Sequence, residues 1–217
     1  MNAEGEEVEE LFSGMYLSNI SLSPDGTKLV FRMDLEGNIY LLDLGTQALN
    51  QITKDPDLTF IGPSWNTDGT KIVVTIQNTS GENTVSIWEM NVDGSDLAQI
   101  LGDDDYWLSN ARLSPKDDER IVFVSNSRVE VPSQNEIHLG DRDLSSRTNI
   151  SDLVDEPVRG NSAPQWSSDA NHILFLSQFQ IHNYQVFSYD IEREEITQLT
   201  SEEAMHLNAI FSPVMRP

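Results

Sequence analysis

Short apolar runs separated by polar turns recur along the chain in a constant internal order. Leu29-Val30-Phe31 returns as Ile72-Val73-Val74, Ile121-Val122-Phe123 and Ile173-Leu174-Phe175. Unbroken β-branched and aromatic runs of this kind predict strands buried on both faces between stacked sheets. Ahead of each run one large apolar residue holds an equivalent place: Leu22, Trp65, Leu113, Trp166 and, once more, Phe211. Behind each run comes a segment built around Ile39-Tyr40, Ile87-Trp88, Ile137-His138 or Val186-Phe187. A short fourth segment closes the unit: Gln51-Ile52-Thr53, Gln99-Ile100-Leu101, Asn149-Ile150-Ser151, Gln198-Leu199-Thr200. Between the first two segments sit Asp25-Gly26, Asp68-Gly69, Asp117-Asp118 and Asp169-Ala170. Asp-Gly tolerates positive φ and favours a tight hairpin connection, which accounts for its recurrence. Four strands per unit, repeating every 43 to 53 residues, predict an all-β fold: a β-propeller of four-stranded antiparallel blades. No segment sustains a 3.6-residue apolar period, so helix content is expected to be minimal.

The full units occupy about residues 19–53, 62–101, 110–151 and 163–200, with a partial unit at 207–213. Residues 1–7 read as an acidic tail and 8–217 as a single propeller, because stacked units share their neighbours. Val8 to Gly14 aligns with Ile196 to Glu202, so a lone fourth strand precedes the four units and a lone first strand, Ala209-Ile210-Phe211, follows. An innermost and an outermost strand cannot pair directly, since paired strands lie about 4.8 Å apart. An open array would expose sheet edges and apolar blade faces. Self-association or a companion chain is therefore expected to complete the ring.

Three runs carry a resemblance. Ser23-Pro24-Asp25-Gly26-Thr27-Lys28-Leu29-Val30-Phe31, the Pro-x-Trp-x-x-Asp-Gly-Thr-Lys-Ile-Val run at 63–73 and the Asp-x5-Ile-Thr-Gln-Leu-Thr run at 190–200 resemble the WD40-like β-propeller repeat of TolB type. The resemblance covers residues 8 to 213 and implies a propeller scaffold that binds partner proteins. TolB family members are six-bladed and periplasmic. This chain departs from them in having four and a fraction blades, no visible signal peptide and no N-terminal α/β domain. A similar repeat occurs in the propellers of prolyl-oligopeptidase-like peptidases, which implies an alternative, the detached propeller of a split peptidase or carbohydrate-processing hydrolase. The hydrolase domain that supplies such an enzyme's nucleophile is absent from these residues.

Composition changes the picture in one respect. With 36 Asp and Glu against 13 Lys and Arg, the net charge is −23. Such a balance opposes binding to a phosphate backbone, so no nucleic-acid partner is expected. It leaves open a self-repelling soluble surface, salt adaptation or a cationic ligand. No Cys is present, which excludes disulfides and thiolate chemistry. No apolar stretch is long enough to span a bilayer, and no membrane insertion is expected. The acidic N-terminus lacks the apolar core of a signal peptide, giving a cytoplasmic expectation, or a periplasmic or extracellular one if a signal peptide was removed.

Candidate chemistry is sparse. The Asp-Gly pairs fit no calcium-loop frame, the four His (His138, His172, His182, His206) have no metal-ligand spacing, and no Gly-x-Ser-x-Gly elbow occurs. No catalytic residue, metal or cofactor is expected. Binding is expected on the face carrying the blade-to-blade loops and the loops between second and third strands, which are longer and richer in aromatics than the tight turns. Its candidate contacts are Tyr16, Phe60, Asp103, Asp104, Asp105, Tyr106, Trp107 and Phe179. The three adjacent carboxylates followed by two aromatics suit a cation or a basic peptide.

Overall fold

The structure is a computed structural model describing residues 17–33, 37–80, 84–127, 134–154, 160–180, 183–201 and 209, with the side chains of residues 179 and 180 excepted. Within the described residues sixteen strands form four antiparallel sheets, each in sequential order from inside to outside. Blade 1 holds β1 (Ser18–Leu22), β2 (Lys28–Met33), β3 (Asn38–Asp43) and β4 (Leu49–Gln51). Blade 2 holds β5 (Leu58–Trp65), β6 (Lys71–Asn78), β7 (Val85–Asn91) and β8 (Ala98–Leu101). In blade 3 these become β9 (Tyr106–Leu113), β10 (Arg120–Ser127), β11 (Asn135–Asp141) and β12 (Arg147–Asn149), followed by a single 3₁₀ turn, Ile150–Leu153. Blade 4 comprises β13 (Gly160–Trp166), β14 (His172–Gln180), β15 (Asn183–Asp190) and β16 (Glu195–Gln198). The expected all-β propeller of up-and-down blades is the fold observed. The terminal strands expected at 8–14 and 209–211 lie outside the described residues, apart from Ala209.

Turn chemistry sets the hairpins. Asp25 Oδ1 accepts from Ser23 Oγ at 2.6 Å, from Thr27 N at 3.0 Å and from Thr27 Oγ1 at 2.8 Å. These donors, the Ser23 hydroxyl foremost, hold the exposed Asp25 carboxyl down at about 2. Asp68 and Asp169 repeat the arrangement with Thr70 and Asn66, and with Ser167 and Asn171. The turn needs a left-handed residue, which is Gly26, Gly69, Asp118 or Ala170 in the four blades. The two turns that lost Gly therefore keep its geometry.

Alternate residues of each second strand point to opposite neighbours, as a period of two requires. Ile72 and Val74 pack with Val30, Ile39 and Leu41 of blade 1, whereas Val73 joins Leu108, Leu113 and Phe123 of blade 3. Val122 and Val124 turn the other way, toward Ile173, Phe175 and Phe187 of blade 4. Each such side chain contributes about 1.5–3 kcal/mol by leaving water. Cross-strand aromatic pairs stack within blades 1, 3 and 4: Phe31 on Tyr40, Phe123 on His138 and Phe175 on Phe187.

One irregularity recurs on every innermost strand. Asn19, Gly62, Asn110 and Ala163 adopt φ of 53°, 61°, 52° and 52°. At each the pairing with the second strand slips by a bulge. A left-handed residue at a bulge lets a strand bend and continue instead of ending. Polar contacts then join neighbouring blades. The Trp65 indole donates to Ser21 O at 3.1 Å, and the Trp166 indole to Arg112 O at 2.9 Å. Thr67 donates from its hydroxyl and its backbone N to Asp118 Oδ1, at 2.7 and 2.8 Å.

Candidate functional site

Strand reversal within each blade sends the blade-to-blade loops and the second-to-third loops to one face. The two loop classes meet there: Phe60 N donates to Gly37 O at 2.9 Å, and Thr79 donates from N and Oγ1 to Asp57 O. Of the expected contacts on this face, Tyr16 lies outside the described residues, as does the Phe179 side chain. Phe60 is corrected. It is 2% exposed, lies within β5 and packs with Val30, Ile39 and Trp65. Burial between two blades removes it from any ligand at the loop face.

Asp103 to Trp107 stay together at the start of blade 3. Asp103 Oδ1 accepts from Asp105 N at 2.9 Å, closing the turn. Its Oδ2 lies 3.7 Å from Arg147 Nη1. Asp104 and Asp105 are exposed, while Tyr106 and Trp107, which open β9, are half-buried. The cluster therefore presents two exposed carboxylates beside a third that is ion-paired.

Arg147, which sequence reasoning missed, organises the rest. Its guanidinium lies 5.4 Å from the ring centres of both Tyr106 and Phe123. Nη2 donates to Ser125 Oγ at 2.9 Å and Nε to His138 Nδ1 at 2.9 Å. Accepting at Nδ1 places the His138 proton on Nε2, which donates to Glu136 Oε2 at 3.1 Å. Burial foremost, then the charge of Arg147, pushes the His138 imidazole down to about 4. His138 is thus a neutral, packed ring with both nitrogens engaged. Among the described residues, no three His, Asp or Glu side chains converge on a position that could hold a metal ion.

A second feature lies at the centre of the array. A cavity of about 500 Å³ opens between β1, β9 and β13, lined by Asn19, Ile20, Asn110, Arg112, Ser162 and Gln165 among others. Arg112 Nη1 donates to Gly62 O at 3.0 Å and to Ala111 O at 2.8 Å, tying β9 to β5. Desolvation lowers the guanidinium to about 10, which leaves it charged at neutral pH. The available signal was positional: Arg112 stands where the other blades have Ser21, Ser64 and Gln165.

No protein-family model and no curated protein sequence matches the chain. Solved structures do. TolB from Acinetobacter baumannii matches at 18% identity with a TM-score of 0.67, over 89% of this chain and 45% of that one. An oligogalacturonate lyase in complex with manganese matches at 19% identity and a TM-score of 0.64, over 88% of this chain and 55% of that one. Puromycin hydrolase matches at 13% identity and a TM-score of 0.60, over 86% of this chain and 29% of that one. The chain spans about half the length of the first two. At these identities the common property is the fold, a β-propeller of TolB type.

Proposed function

We propose that this chain is a non-enzymatic binding scaffold whose first blade is completed by an added protein surface, a second copy of the chain or a companion. One observation carries the proposal. Leu22 is 55% exposed, although Trp65 and Leu113, its equivalents in blades 2 and 3, are 8% and 6% exposed against the preceding blade. Ile20 beside it is 61% exposed, where Pro63, Ala111 and Pro164 are buried. The exposure is concentrated on the innermost strand, since Phe31 and Leu42 of the same blade are each 3% exposed. Covering the two side chains would add roughly 1.5–3 kcal/mol apiece.

The structural neighbours include a TolB protein, a lyase and a hydrolase, so fold likeness is compatible with both a scaffold and an enzyme part. Support for the scaffold comes from the exposed apolar surface of β1. On the loop face, Asp104, Asp105 and Trp107 are the contacts proposed for a cationic protein partner, with Asp103 and Tyr106 held behind them by Arg147. Light scattering at micromolar concentration tests the association. The expected species is heavier than the 24.4 kDa chain and reverts to monomer in Leu22→Asp. A monodisperse monomer overturns completion by a second copy, and a folded Leu22→Asp protein that keeps the native mass overturns the assignment of the surface.

A further inference from the structure

We infer that the central cavity binds a small monocarboxylate, recognised by Arg112. The guanidinium has five N–H donors in a planar fork. Both hydrogens of Nη1 are committed to the carbonyls of Gly62 and Ala111. These bonds fix the plane of the group and leave the edge formed by Nε and Nη2. Among the described residues, neither of those nitrogens has a hydrogen-bond acceptor, and Arg112 lines the cavity. An Nε/Nη2 edge matches the two oxygens of a carboxylate in a paired, charge-assisted contact.

Electrostatics point the same way. Arg112 makes no ion pair with a described residue, and no described residue lining the cavity is acidic, in a chain with 36 acidic residues against 13 basic ones. One uncompensated cation in a partly desolvated site matches one negative charge, which favours a monoanion over a phosphate dianion. The other lining groups suit a polar molecule. Asn19, Asn110, Ser162 and Gln165 line the cavity, and no hydrogen bond joins their side chains to another described residue, so they are available to hydroxyl or amide groups. About 500 Å³ lies within the range of small-molecule sites.

Isothermal titration with sodium lactate at constant ionic strength tests the inference, with lactamide and inorganic phosphate as controls. Lactate should bind saturably, lactamide at least about tenfold more weakly, and phosphate no more tightly than lactate. Arg112→Gln should weaken lactate binding by about tenfold to a hundredfold. Because Arg112 also ties β9 to β5, a second measurement uses the intact protein: the Arg112 Nε–H NMR resonance should shift on adding lactate and stay in place with lactamide. An unmoved resonance, equal binding of acid and amide, tighter binding of phosphate, or full lactate affinity in a folded Arg112→Gln protein each overturns the assignment.

Discussion

Leu22 and Leu113 are the same residue type at the same place in the repeat, yet one is 55% exposed and the other 6%. Leu113 lies against blade 2, packed with its Val73 and Ile87. Leu22 lies in the first blade of the array. The repeat thus writes an interface into every unit, and a unit's contribution depends on the neighbour it meets, as in any stacked array. A conserved pattern of side-chain types along one chain does not imply equal burial.

Substitutions at the matched positions break or sharpen this contrast. The largest effect is expected for Trp65→Ala, about 3–5 kcal/mol of lost stability by chemical denaturation, because a large side chain buried between blades is removed. Next comes His138, the blade 3 counterpart of Tyr40 and Phe187. Its folded value is about 4 against 6.5 when unfolded, so between those values the unfolded chain binds more protons. The stability it adds is fully present above pH 6.5 and is lost as pH falls to 4, on the order of 3 kcal/mol. Denaturation midpoints measured across that window should slope in the native protein and flatten in His138→Gln. The depressed turn carboxylates, Asp25 at about 2 among them, act below this window. A smaller gain, ~0.5–1 kcal/mol, is expected for Ala163→Gly, which relieves a left-handed alanine at the bulge, and thermal unfolding should show it. Leu22→Ala should change monomer stability by no more than about 0.5 kcal/mol. A cost for Leu22→Ala equal to that of Leu113→Ala would erase the contrast between edge and interior.

Much of the fold was legible because turn chemistry and strand period agree in all four units. Asp25-Gly26 and Asp68-Gly69 marked the hairpins, and Leu29-Val30-Phe31 and its equivalents marked strands buried on both faces. The candidate site was less legible, for a physical reason visible at Gly62-Pro63. That pair reads as the start of a strand, which leaves Phe60 in a loop. The left-handed bulge at Gly62 instead lets β5 begin at Leu58, and Phe60 enters the core. Tyr106 and Trp107 join β9 in the same way through Asn110. The common signal was the column Asn19, Gly62, Asn110 and Ala163, in which Gly and Asn are the residues that best tolerate positive φ. Arg112 and Arg147 escaped notice because a guanidinium's partners are set by tertiary contact, and neither lies in a recognisable local motif.

The indole bonds that cross blade boundaries give the array a direction. Trp65 depends on a carbonyl of blade 1 and Trp166 on a carbonyl of blade 3, so in both cases the donor sits in the later blade. Shortening the protein from its two ends is therefore inequivalent. Loss of blade 1 strips Trp65 of its acceptor and uncovers Ile72 and Val74, whereas loss of blade 4 frees the Arg112 carbonyl, which water can satisfy, and uncovers Val122 and Val124. A circular permutant should tolerate new termini best where no tryptophan spans the cut.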